Sequence, residues 1–81
     1  MTVKVKLFAI YQEVYNQSEL TLEVTPKTTV QDIFQNLIED KSELTFWANI
    51  TRFAVNLTFV SPDYIVQEGD EIAFIPPVSG G

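Results

Sequence analysis

One stretch of this chain has the spacing of an amphipathic helix, and almost everything else alternates. Val30, Ile33, Phe34, Leu37 and Ile38 fall at i, i+3, i+4, i+7 and i+8, one apolar stripe with Gln31, Asp32, Gln35, Asn36 and Glu39 on the opposite side. Thr29-Val30-Gln31-Asp32 supplies the start: a threonine at the N-cap and an acid at the third helical position, where the helix dipole also favours negative charge. In a chain of 81 residues there is material for one core only. The stripe therefore needs a sheet to cover, and that requirement selects an α+β architecture with the helix on one face.

The remaining segments supply the sheet. From Thr2 to Ile10, Val3, Val5, Leu7 and Ala9 alternate with Thr2, Lys4, Lys6, Phe8 and Ile10, which predicts a half-buried strand. Leu20, Leu22 and Val24 alternate with Glu19, Thr21 and Glu23 in a second strand, antiparallel to the first and ended by Pro26. Phe53, Val55, Leu57, Phe59 and Val60 form a β-rich run interrupted by Asn56, and turns are expected at Ser61-Pro62-Asp63 and Gln67-Glu68-Gly69-Asp70. Two short strands are expected here. Glu71 to Ile75 is the last strand, with Ile72 and Phe74 on one face and Glu71, Ala73 and Ile75 on the other, and Pro76-Pro77 stops it. Leu44, Phe46, Trp47 and Ile50 fit either a short second helix or an apolar loop plugging the end of the core, with Phe46 and Trp47 read as core filler. This order of elements is the ubiquitin-like β-grasp arrangement, a mixed sheet with one main helix on one face. The domain is expected to span 1–75, followed by a flexible tail, 76–81.

Composition narrows the function. Hydrophobic residues make up 46% of the chain, enough to fold without staples, and there is no cysteine and no histidine. Disulfides, thiolate nucleophiles, histidine bases and zinc sites built from those residues are thereby excluded. Eleven acidic residues against five basic ones give a net charge of −6, which repels a phosphate backbone and offers nothing to nucleic acid or anionic lipid. Neither a nucleic-acid nor a membrane partner is expected, and a protein partner fits better. Asp70-Glu71 is read as a turn and strand-start feature, and Glu39, Asp40 and Glu43 as a solvated helix end, so no metal site is expected. No apolar run near the N-terminus has the form of a signal peptide, so the expected compartment is the cytoplasm.

The exceptional feature is Pro76-Pro77-Val78-Ser79-Gly80-Gly81. Six extended residues span roughly 20 Å, enough to enter a deep site. Gly80 and Gly81 carry no side chain, so a narrow channel in another protein can close around their backbone, while the prolines stiffen the root of the tail.

The run from Glu68 to Gly81, Glu-Gly-Asp-Glu-Ile-Ala-Phe-Ile-Pro-Pro-Val-Ser-Gly-Gly, resembles the C-terminal signature of the small-subunit family of molybdopterin synthase, a family of sulfur carriers. Leu7-Phe8-Ala9, Thr29-Val30 and Val55-Asn56 are similar to that family too, and the resemblance spans essentially the whole chain. The first loop departs from it, with Tyr11-Gln12-Glu13 and Asn16 where the family often has Leu-Arg-Glu followed by glycine. The resemblance implies that the first and last strands are parallel central neighbours. It implies that the Gly81 carboxylate is adenylated by an adenylyltransferase related to ubiquitin-activating enzymes, using ATP, and converted by a sulfur donor to a thiocarboxylate. The large synthase subunit would then use that sulfur to build the dithiolene of molybdopterin. On this view the chain binds no cofactor itself and is a sulfur-donating subunit, not the catalyst.

Alternation places Phe8 on the Lys4 and Lys6 face and Ile75 on the Glu71 face, so both are expected to point away from the helix and to meet beside the tail root as a partner interface. Phe59 joins them by resemblance alone. Other readings are a carrier for thiazole synthesis, a protein modifier conjugated to lysines through Gly81, and a plain interaction module with an inert tail. Pro76-Pro77 argues against the thiazole carriers, which typically lack it.

Overall fold

A computed structural model describes residues 1–77. Strand β1 (Thr2–Leu7) leads through helix α1 (Ile10–Tyr15) to strand β2 (Glu19–Glu23), and the main helix α2 (Val30–Ile38) follows. A 3-10 turn (Ser42–Leu44) and the short helix α3 (Thr45–Ala48) lead to strands β3 (Arg52–Val55), β4 (Thr58–Val60) and β5 (Glu71–Ile75). The five strands form one sheet in the order β2-β1-β5-β3-β4. β1 and β5 run parallel near the centre, and the other pairs are antiparallel. This is the β-grasp topology expected from the order of elements.

Helix α2 begins where its capping residues dictate. The Thr29 hydroxyl accepts from the Asp32 backbone N–H at 3.1 Å, and the Asp32 carboxylate accepts from the Thr29 N–H at 3.1 Å, a reciprocal capping box. Its stripe is buried as patterned: Val30, Ile33 and Phe34 are buried, with Leu37 and Ile38 packed against the core. The sheet contributes Val3, Val5, Leu7, Phe53, Val55, Ile72 and Phe74 to the same core. Phe34 sits at its centre, meeting the rings of Tyr11, Phe53 and Phe74 edge to face with centroids 5.8, 5.3 and 5.0 Å away, an arrangement aromatic quadrupoles favour.

Three local expectations are corrected. The first strand ends at Leu7 rather than Ile10, because Ile10, Tyr11, Val14 and Tyr15 bring apolar groups to one side of a helical turn. The segment expected to be a loop is thus α1, and Tyr11 is one of the largest buried side chains. Leu57 is not in a strand: it occupies the turn between β3 and β4. Phe46 is not core filler, being 72% exposed with its ring against Trp47, whereas Trp47 does pack partly against the core.

The long connection from β4 to β5 crosses the start of α2, where Val30 N–H donates to Tyr64 C=O and Val66 N–H donates to Thr28 C=O, both at 3.0 Å. It ends in the expected turn, with Gly69 at φ 82, a conformation side-chain-bearing residues rarely adopt. Among the described residues no helix is long and apolar enough to cross a membrane.

Candidate functional site

Helix α2 covers one face of the sheet; the other face is open. Strand register fixes what that face presents. Lys6 lies beside Glu19 of β2 on one side and Ala73 of β5 on the other, Ala73 lies beside Ala54 of β3, and Ala54 beside Phe59 of β4. Two alanines side by side at the centre of a sheet leave a depression, because the strands on either side carry longer side chains. The result is a groove of about 430 Å³ lined by Lys6, Phe8, Ala54, Leu57, Phe59, Glu71, Ala73 and Ile75.

Phe8 is 46% exposed and Phe59 62%, while Ile75 is half-buried. All three expected interface residues therefore reach the same groove, on the face away from α2. The charged groups stand around them. Lys6 Nζ is 3.3 Å from a Glu19 carboxylate oxygen, a pair open enough to water to contribute little to stability. The Arg52 guanidinium lies over the Phe59 ring at 6.0 Å from its centroid, the outer limit of a cation–π contact.

A second groove, of about 560 Å³, shares Phe8 and Ile75 and continues around them to Ala9, Ile10, Glu13, Trp47, Pro76 and Pro77. Its walls come from α1 and α3, and a chain of hydroxyls ties these together. Tyr11 and Thr51 share a side-chain hydrogen bond, and the Thr51 hydroxyl donates to the Trp47 carbonyl at 2.7 Å. Pro76 is buried and Pro77 exposed, so the first residue after β5 is laid into apolar surface. Val78, Ser79, Gly80 and Gly81 lie outside the described residues.

Asp70 is buried, but its carboxylate accepts from the Asn56 amide at 3.0 Å and the Gln67 N–H at 2.8 Å, which makes it a tie between turns. Glu39, Asp40 and Glu43 are exposed, and among the described residues no cluster of three or more metal-ligating side chains converges. What the surface offers is two apolar-lined grooves that share Phe8 and Ile75, one of them reaching Pro76 and Pro77.

The model of the ThiS family matches residues 5–81. The chain belongs to the ThiS family. This ThiS-family chain is 34% identical over 83 residues to the molybdopterin synthase sulfur carrier subunit of Chlamydomonas reinhardtii, with 100% of both chains covered. Among solved structures, SAMP1 from Haloferax volcanii matches with a TM-score of 0.83 and 26% identity, again over 100% of both chains. A complex of subunits 1 and 2 of the molybdopterin-converting factor from Helicobacter pylori contains a chain that matches with a TM-score of 0.68 and 21% identity, covering 100% of each, and shows the same fold.

Two features of these grooves in the ThiS-family chain escaped the sequence pattern. Trp47 lines the tail-root groove as well as packing on the core, and Leu57 extends the open-face groove from a turn. Alternation could not place Leu57 in a turn, since it continues the β-rich run on the far side of Asn56. Asn56, a turn former that interrupts the β-rich run, was the available signal for a turn at this point.

Proposed function

We propose that this chain is the sulfur-carrying small subunit of a molybdopterin synthase, acting in the cytoplasm. The observation that carries the reading is its end-to-end match, at 34% identity, to a protein named molybdopterin synthase sulfur carrier subunit. The geometry of the tail root supports it: Phe8, Ile75, Pro76 and Pro77 line one apolar groove, from which residues 78–81 continue.

The chemistry required of the chain is small. A free α-carboxylate titrates at about 3.5, so at neutral pH it is an anion and a poor electrophile. A partner adenylyltransferase activates it: a Gly81 carboxylate oxygen attacks the α-phosphorus of ATP, pyrophosphate leaves, and an acyl-adenylate forms. A sulfide-level nucleophile from a sulfur donor then adds to the carbonyl and expels AMP, leaving a thiocarboxylate. The large synthase subunit accepts the tail and transfers that sulfur to the pterin precursor of the dithiolene. The carrier supplies the reacting carbonyl, side-chain-free residues behind it, and a docking face. Apart from that terminal carboxylate, the reacting groups belong to its partners.

The likeness to SAMP1 at 26% identity favours a second reading, a protein modifier joined to lysines through Gly81. One experiment separates the two. The protein is incubated with adenylyltransferase, ATP and sulfide, and its intact mass is measured. The expected result is the gain produced when one sulfur replaces one oxygen, localised to Gly81, followed by dithiolene formation with the large subunit. Protein that forms a ladder of lysine conjugates in lysate and supports no dithiolene synthesis makes the modifier reading the correct one.

A further inference from the structure

The β3–β4 hairpin is closed by two residues. Val55 pairs with Thr58, leaving Asn56 at φ 51 and Leu57 at φ 71 as the turn. Positive φ at both central positions is the type I′ geometry that suits the twist of a hairpin, and it selects Asn-Gly because glycine alone enters the second position without steric cost. Asn56 has an evident structural use there: its amide donates to Asp70, and its side-chain oxygen accepts from the Glu71 N–H at 3.0 Å. Leu57 has none. It is 96% exposed and lies outside the core and the apolar groups packed against it.

One position thus carries two unfavourable choices, a strained backbone under a branched side chain and a large apolar group in water. A lone exposed leucine is ordinary. This one is not alone, because it lines the open-face groove with Phe8, Phe59 and Ile75. Ile75 is the last residue of β5, and residues 78–81 follow Pro77 with a reach of about 13 Å when extended. The groove at the tail root shares Phe8 and Ile75 with this one, so a protein that takes up the tail is placed beside the surface that carries Leu57. A second copy of the chain is disfavoured as the occupant, because each copy carries a net charge of −6.

We propose that Leu57 is a docking anchor, held out by the hairpin so that it enters an apolar pocket on the large synthase subunit beside the channel that takes the tail. The inference rests on the sulfur-carrier reading above.

Replacement by glycine makes the test sharp, because it removes the anchor and relieves the turn at once. Leu57→Gly and Leu57→Ala are compared with the parent for melting temperature and, by calorimetry, for Kd with the large subunit. Leu57→Gly is expected to melt higher than the parent by a few degrees and to bind at least tenfold more weakly; Leu57→Ala is expected to bind as weakly without the gain in melting temperature. If both variants bind within twofold of a parent that binds and supports dithiolene formation, Leu57 is no anchor and only this inference falls. A loss confined to self-association or to adenylyltransferase binding also overturns it. A parent that neither binds the large subunit nor supports dithiolene formation removes the carrier reading and this inference with it.

Discussion

Asn56 and Asp70, fourteen residues apart, hold the β3–β4 hairpin against the start of β5: the Asn56 amide donates to the buried Asp70 carboxylate at 3.0 Å. The other Asp70 oxygen accepts from the Gln67 N–H at 2.8 Å, and the Asn56 N–H donates to the Glu71 carbonyl at 2.8 Å. An acidic residue that reads as a turn former is therefore also the joint between the hairpin carrying Phe59 and Leu57 and the strand carrying Ile75. The open face keeps its shape through this joint.

Asp70→Ala is accordingly expected to destabilise the fold by about 2–3 kcal/mol, since it leaves two donors without a partner in a part-buried site. Urea unfolding measures it. A midpoint unchanged from the parent would show that water replaces the carboxylate without cost.

The centre of the core gives a larger effect. Phe34 meets three aromatic rings and is almost fully buried. Phe34→Ala is expected to cost about 3–5 kcal/mol, a large share of the total for a domain of this size, whereas Phe34→Leu is expected to lose much less. Thermal denaturation followed by far-UV circular dichroism checks the order of the two. Equal melting temperatures would place the cavity somewhere the surrounding rings can fill.

Phe8→Asp tests the ridge shared by both grooves. The side chain is exposed and belongs to neither the core nor its packed fringe, so the melting temperature is expected to stay within a few degrees of the parent. Binding to the large subunit is expected to fall by at least tenfold, because a carboxylate must then be desolvated in an apolar contact. Undiminished binding of a folded variant would move the interface off this face.

Strand alternation makes the open face legible in the sequence. Phe8 and Ile75 reach it because both follow the period of strands whose opposite faces carry Leu7 and Phe74 into the core. The α2 stripe was equally plain, since its capping residues and its period agree. What stayed hidden depended on short segments and on neighbours distant in sequence. Helix α1 has six residues, too few for a period to separate from a strand that precedes it directly, and Ala9 turns between the two at φ 50. Leu57 reads as part of the β-rich run because hydrophobicity says nothing of φ. The Ala54–Ala73 depression arises from register between strands, which no single segment contains.

Alkaline pH should loosen the α1 side of the molecule. Burial pushes the Tyr11 hydroxyl above its ordinary pKa of 10.0, partly offset by its hydrogen bond with Thr51. Tyr15 is raised by burial first, then by the negative charge of ionised Tyr11, Asp40 and Glu43. A folded-state pKa above the unfolded one means the native state holds its proton longer. The associated stability is complete below about pH 10 and is lost as pH rises through the folded values. Tyr11→Phe with Tyr15→Phe is expected to flatten the fall in denaturation midpoint above that pH. A double variant as steep as the parent would assign the fall to other groups.

The terminus carries the functional claim, and it can be perturbed without touching the core. Deleting Gly81, or adding one residue after it, is expected to abolish sulfur transfer because the activated carbonyl must be the last group in the partner's channel. The described β-grasp body reaches Pro77 without either glycine, so the melting temperature is expected to remain that of the parent. Gly80→Val is expected to fail for a separate reason: a β-branched side chain occupies space that a channel fitted to a glycine backbone does not leave. The two defects differ in kind. The extended protein should still dock through Phe8 and Ile75 with an affinity near that of the parent, yet never gain sulfur at its old terminus. Gly80→Val should lose adenylation and transfer together, as both channels must pass residue 80. Dithiolene formed at the parental rate by either variant would show that the sulfur does not travel on Gly81.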